Sequence, residues 1–214
     1  MLDRLSRFAP FTGIAFVILA VIGIVSSNTS PKASASGAHV IAFYTAHKSG
    51  QEASDILLAF GFIFFLFFIG SLYGLLRRAP AAQTLAALGL AGVVLFVVGV
   101  AVFGGIDYSL ANASHTLSPG AAQALNVLDN QLFLPLFMGA VVFGVATGLA
   151  VVRSGLLPAW LGWALLVFAI ATGTPAFFVG LIGLLIWTLV TSVLIYQRST
   201  PSAAGGQAAA PAAA

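Results

Sequence analysis

The chain contains no cysteine, only two methionines, and only eight basic and five acidic side chains in 214 residues. Without cysteine there is no disulfide frame, no thiolate metal ligand and no thiol nucleophile. The shortage of charge excludes more. Charged residues make up 6% of the chain, against about 25% in soluble domains. So few charges cannot cover a water-facing surface. A charge near the middle of any long apolar run is also missing. Proton pumps, ion-coupled transporters and voltage sensors generally need one inside the bundle, so these classes are disfavoured. The net charge of +3 does not point to nucleic acid, because the basic residues form no cluster.

What the chain does have is apolar surface. Hydrophobic residues account for 60% of it, with 23 glycines and 18 phenylalanines, and the mean hydropathy is +1.09. A spanning helix needs about 20 predominantly apolar residues. Six stretches meet or approach this length: 10–25, 56–76, 85–103, 132–152, 157–172 and 175–196. The fifth is the shortest. Gly173-Thr174-Pro175 separates it from the sixth and reads as a tight turn. The expected fold class is all-α: a polytopic membrane bundle of six transmembrane helices in three hairpins. That domain covers 1–198. The Ala/Gly/Pro-rich 199–214 reads as a disordered cytoplasmic tail.

Basic residues set orientation. With the N-terminus inside, Arg4, Arg7, Arg77, Arg78, Arg153 and Arg198 lie inside with only Asp3 opposing them. Lys32 and Lys48 lie outside with Glu52, Asp55, Asp107 and Asp129. The balance is +5 inside and −2 outside, which together make the net +3. All three histidines fall outside. The expected location is the plasma (inner) membrane of a bacterium, with both termini cytoplasmic. A cleaved signal peptide is the alternative for the first stretch, since Ala33-Ser34-Ala35 resembles a cleavage site. The length of the apolar run favours a retained span.

The outer loops, 26–55 and 104–131, each read as a polar, flexible stretch followed by a short amphipathic helix. In the first, 39–44 begins that helix. In the second, Ser118-Pro119 reads as an N-cap followed by proline at the first helical position, with Leu125 and Leu128 on one face. Asn28-Thr29-Ser30 and Asn112-Ala113-Ser114 match glycosylation acceptors, and the bacterial character of the composition makes them coincidental. Gly70 with Gly74, and Gly144 with Gly148, are small-xxx-small pairs expected to bring helices of one chain together. Gly89, Gly92 and Gly99 add to this. Trp160 and Trp163 suit an interfacial anchor.

The outer side gathers the candidate polar cluster: Asp129, Asn130, Asp55, His47 and His115. Imidazole and carboxylate could bind a metal or serve as a general base, Asp129 or His47. The spacings argue against both. His39 and His47, eight residues apart, lie about 12 Å apart along a helix. No nucleophile is paired with a base, and no phosphate or dinucleotide loop occurs. Ordinary solvated loop residues are the favoured reading, with no catalytic residue, metal or cofactor assigned. Pro135, following Asp129-Asn130-Gln131, would kink the fourth span and free a carbonyl, so a cavity is sought near Asn130 and Pro135. Two readings follow. One is a non-enzymatic membrane module for interaction or sensing at the outer face, with the bilayer and a membrane-protein partner or a second copy as its contacts. The other is a small transporter or lipid-binding protein. A membrane enzyme ranks third.

The stretches Arg7-Phe8-Ala9-Pro10-Phe11-Thr12-Gly13, Val40-Ile41-Ala42-Phe43-Tyr44 and Gly155-Leu156-Leu157-Pro158-Ala159-Trp160-Leu161-Gly162-Trp163 together resemble a set of small six-helix membrane proteins of high-GC bacteria, of the domain-of-unknown-function type. The resemblance covers 7–196. It implies the topology and a plasma-membrane location, and no activity.

Overall fold

The structure is a computed structural model. It describes the backbone of residues 2–174 and 176–199, and the side chains of 11–174 and 176–197. Seven α-helices follow in order: α1 (Leu2–Ser26), α2 (Gly37–Leu76), α3 (Gln83–Ala113), α4 (Pro119–Gln131), α5 (Leu134–Ser154), α6 (Ala159–Thr172) and α7 (Phe177–Ser199). A 3-10 turn, Pro80–Ala82, joins α2 to α3. No strand occurs among the described residues. Four helical stretches are long and apolar enough to cross a membrane: Gly37–Leu76, Pro80–Ala113, Pro119–Ser154 and Phe177–Gln197. Phe11–Ser26 and Ala159–Thr172 are shorter apolar helices.

Helix ends follow local chemistry. The Ser36 and Ser118 hydroxyls accept from the backbone N–H groups of His39 and Ala121, both at 3.3 Å, capping α2 and α4. Gly155, at φ 63°, supplies the left-handed residue that ends α5. Gly173 ends α6, so α6 and α7 are separate helices, as the turn signal suggests. Pro175 of that turn lies outside the described residues, as do residues 200–214 of the tail.

Packing closes six helices into a ring: α1 on α2, α2 on α3, α3 on α5, α5 on α6, α6 on α7, and α7 back on α1. Aromatic side chains fill the middle. Phe16, Phe65, Phe68, Phe143 and Trp187 are fully buried. Their rings meet mostly edge-on or tilted, with centroids from 4.6 Å (Phe16–Phe65) to 6.5 Å (Phe68–Trp187). The Trp187 indole N–H donates to the Leu161 carbonyl at 2.9 Å, so its polar atom is satisfied.

The tightest seam joins α3 and α5. A Cβ at Gly92 or Gly139 would collide with the facing backbone of Phe143 or Phe96. At Gly99 it would lie 2.6 Å from the Leu136 nitrogen. Gly144 and Gly148 make the same close approach to α6. Gly70 and Gly74 do not. Nothing lies within 4 Å of a Cβ built at either. That pair sits on the outward face of α2, because Phe65, Phe68, Ile69 and Leu72 take the inward one.

Two further expectations need correction, and one is refined. The first outer loop holds the expected short helix, which runs on into the second span. Its helical part is the start of α2, joined to the rest through a kink at His47 (φ −113°, ψ 16°). The second loop does not open with a flexible stretch, because α3 runs on to Ala113. There Leu110 and Ala111 pack with Val40, Tyr44 and Ala122 in a second small core. This packing outweighs the helix-weakening Gly104 and Gly105. Pro135 does not kink a helix. The chain leaves helical geometry at Leu132 (φ −84°, ψ 44°), and Pro135 falls in the first turn of α5, where its missing N–H has no partner to lose.

Candidate functional site

α2 has 40 residues, about 60 Å of helix and twice the hydrocarbon thickness of about 30 Å. Counting back about 20 residues from Leu76 leaves the part up to Asp55 outside that length. The same count from Gln83 leaves α3 beyond Phe103 outside. These overhangs, with α4 and residues 27–36, form a cap at one end of the ring. Gly37 at the start of α2 presses directly on the Pro119 carbonyl at the start of α4, so the two N-termini meet.

Polar groups converge inside this cap. The Tyr44 hydroxyl donates to the Asp107 Oδ1. The Gln51 amide donates to the Asp107 Oδ2 at 3.2 Å, and its carbonyl accepts from the Asn28 backbone N–H at 2.7 Å. On α4, Asn126 donates to the Lys32 carbonyl at 2.9 Å. Asn130 donates to the carbonyls of Pro31 (3.1 Å) and Asn126 (2.8 Å). These bonds tie the 27–36 connection to α2 and α4.

The acids are buried. Asp107 is 7% exposed and Asp129 is 4% exposed. Solvated loop carboxylates, the favoured reading of the sequence, is therefore wrong for these two. The buried face of α4 is Ala122, Asn126 and Asp129, while Leu128 points outward. The expected Leu125–Leu128 face is corrected accordingly. Helical spacing of four and three puts Asn126 and Asp129 on the Ala122 side. Asp55 is half-buried. One oxygen each of Asp55, Asp129 and Asn126 is buried with no hydrogen-bond partner.

Among the described residues the only ion pair is Lys48–Glu52 at 3.6 Å, outside this cluster. Asp107 and Asp129 thus have no cation to offset their burial. Burial pushes the Asp107 carboxyl above the usual range, and the Tyr44 hydrogen bond partly opposes this. Burial, and then the neighbouring Asp107 charge, push Asp129 up to about 7. Tyr44 is raised as well, by burial first and by its bond to Asp107 second.

The five candidate residues fare differently. Asp55 and Asp129 join the cluster electrostatically with Asp107. Asn130 is exposed at its edge. His47 stands apart at the kink, its Nδ1 at 2.9 Å from the Phe43 carbonyl and its ring on Phe43 at 4.6 Å. His115 is exposed. Tyr44, Gln51, Asp107 and Asn126 belong to the site and are not among those candidates. Among the described residues no three His, Asp or Glu side chains converge as a metal site requires.

Clefts among the described residues include two of note. One, of about 400 Å³, lies next to Pro135, between Phe133, Leu134 and Phe137 on one side and Thr172 and Phe177 on the other. Asn130 does not line it. The second lies between α2 and α3, below Asp55. No protein-family model, curated protein or solved structure matches the chain.

Proposed function

We propose that the chain is a six-span integral membrane protein whose outer cap serves as a non-enzymatic module for interaction or sensing. The four long apolar helices and the two shorter ones support the spans. So does the outward display of Phe67, Ile170 and Phe178, each more than half exposed. The pairs α1–α2, α3–α5 and α6–α7 fit three antiparallel hairpins. The arginines at the ends of α2 and α5 fall at one end of the ring, opposite the acidic cap, which fits the positive-inside rule with both termini cytoplasmic. This reading keeps the resemblance to small six-helix bacterial membrane proteins and the plasma-membrane location.

One observation carries the role of the cap. Asp107 and Asp129, from two helices, are buried together with only neutral donors around them. Burying carboxylates without a cation weakens a fold, and such departures from stability concentrate at functional sites. Catalysis is disfavoured because a reacting carboxylate must reach a substrate, and these two are sealed. A sealed acidic cluster suits a cap that changes shape when something is captured or protonated at the outer face.

The test is photo-crosslinking in native membranes from three exposed cap positions, His115, Gln123 and Val127. A discrete adduct with another membrane protein or with a second copy is expected. A chain that stays monomeric and unpartnered from all three positions refutes the interaction role. Orientation is read in the same cells, since the cysteine-free chain accepts single-cysteine reporters without background. An impermeant maleimide should label position 115 and spare position 154.

A further inference from the structure

The cleft between α2 and α3 has an apolar length and a polar end. Its volume is about 450 Å³, within the roughly 300–1,000 Å³ of ordinary small-molecule sites. Phe62 and Leu66 of α2 and Val97 of α3 form its walls. Asp55, Gly104 and Tyr108 form the end nearest the cap. Ile56, Ile63 and Leu66 along its rim are exposed, so the cleft opens sideways through the surface read above as facing lipid. A molecule in it would enter from the bilayer.

The polar end asks for a donor. One Asp55 oxygen is buried and has no hydrogen-bond partner. The other faces Gly104, where the missing side chain leaves room: a Cβ built there would sit 3.8 Å from it. At Gly105 a Cβ would meet nothing within 4 Å. Burial, and then the charges of Asp107 and Asp129, push the Asp55 carboxyl up to about 8, so near neutral pH it holds a proton. The nearest basic side chain on the same helix, Lys48, is paired with Glu52. The site thus offers a carboxyl group that a bound cation would ionise, and a free acceptor, above an apolar channel. A cation would relieve the mutual repulsion of the three acids as Asp55 ionises, an anionic head would add to it, and a neutral one would leave it unchanged.

We propose that this cleft binds a single-chain cationic amphiphile, with its ammonium group on Asp55 and its alkyl chain along Phe62, Leu66 and Val97. A primary ammonium, with three N–H donors, fits better than a quaternary one. The proposal rests on the membrane reading but not on the role assigned to the cap. Because Gln51, one turn before Asp55, holds Asp107, an occupant would sit directly beneath the cap cluster.

The experiment is equilibrium binding of radiolabelled dodecylamine to the full-length protein in phosphatidylcholine nanodiscs at about pH 9, above the Asp55 carboxyl and below the amine. One saturable site per chain is expected. Dodecyltrimethylammonium should compete more weakly, dodecanol about tenfold more weakly or worse, and dodecyl sulfate not at all. Asp55→Asn should weaken dodecylamine about tenfold and leave dodecanol unchanged. Ala101→Phe, on the exposed wall of the cleft, should abolish both. Ala59→Phe, on the opposite helix, repeats that test if the first variant fails to fold. The absence of a saturable site overturns the proposal. So does equal binding of all heads, or indifference to Asp55→Asn. Carbonate extraction of membranes tests the membrane reading separately, so failure of one is distinguishable from failure of the other.

Discussion

Replacing Gly92 with alanine tests the α3–α5 seam. The added Cβ would collide with the backbone nitrogen of Phe143, with the Phe143 Cα at 2.9 Å. Backbone cannot rotate aside as a side-chain tip can, so the helices must separate locally. Overpacking of this kind costs about 1–3 kcal/mol, and a backbone collision belongs at the upper end. Alanine regains about 0.5–1 kcal/mol of helix propensity. The net loss is then about 2 kcal/mol. For a chain of this length that corresponds to a drop of about 4–8 °C in the unfolding midpoint. Thermal unfolding in detergent, followed by circular dichroism, provides the measurement. Gly139→Ala, facing Phe96 across the same seam, should behave alike. Gly70→Ala and Gly74→Ala are the controls, since their Cβ atoms meet nothing. They should leave the midpoint unchanged or raise it slightly. If Gly92→Ala proves as stable as the parent, or Gly70→Ala as damaging as Gly92→Ala, the seam is wrongly located.

Two further outcomes follow from the cap and the surface. The Asp129 carboxyl moves from an ordinary 3.8 to about 7 in the folded cap, where Tyr44, Asp55 and Asp107 are the titratable groups around it. The folded state therefore retains a proton that the unfolded state releases, and stability falls as pH rises from about 4 to about 7. Asp129→Asn should flatten that slope in midpoints measured across this range; an unchanged slope would mean the carboxyl is not protonated there. Trp160 and Trp163 are 55% and 58% exposed, whereas Trp187 is 2% exposed. In brominated-lipid vesicles, single-tryptophan variants keeping Trp160 or Trp163 should be strongly quenched, and one keeping Trp187 should not. Equal quenching of all three would contradict the ring.

Hydropathy made most of the fold legible, because a lipid-length apolar run leaves a chain few options. The α6–α7 break was readable at Gly173, and the α4 start at Ser118-Pro119. Helix ends beyond the apolar runs were not. Gly104-Gly105 suggests a break, yet α3 continues because Leu110 and Ala111 find partners on α2 and α4, a long-range effect that local sequence does not carry. The glycine pairs show the same limit. Gly144/Gly148 and Gly70/Gly74 have the same spacing, and only the first meets a neighbouring helix. Spacing permits a close approach without naming the face that makes it.

The site was hidden for a related reason. Tyr44, Gln51 and Asp55 are separated by seven and four residues, the spacing of one helical face, but this is readable only if the loop is known to be helix. Tyr44 and Asp107 are 63 residues apart, and no local pattern joins them. Their position along the helices has a physical logic. Asp55 precedes Leu76 by about 31 Å of helix and Asp107 follows Gln83 by about 36 Å, against a hydrocarbon layer of about 30 Å. On the proposed membrane reading, Asp55 and Asp107 stand just past the length at which an uncompensated carboxylate becomes prohibitive. Below that boundary Phe65, Phe96, Phe143 and Trp187 fill much of the interior. Above it, a modest opening of α4 would expose the cluster to water. A proton or ligand reaching Asp107 or Asp129 that way would not cross the aromatic core, and the cap is joined to the bundle through α1, α2, α3 and the direct run of α4 into α5.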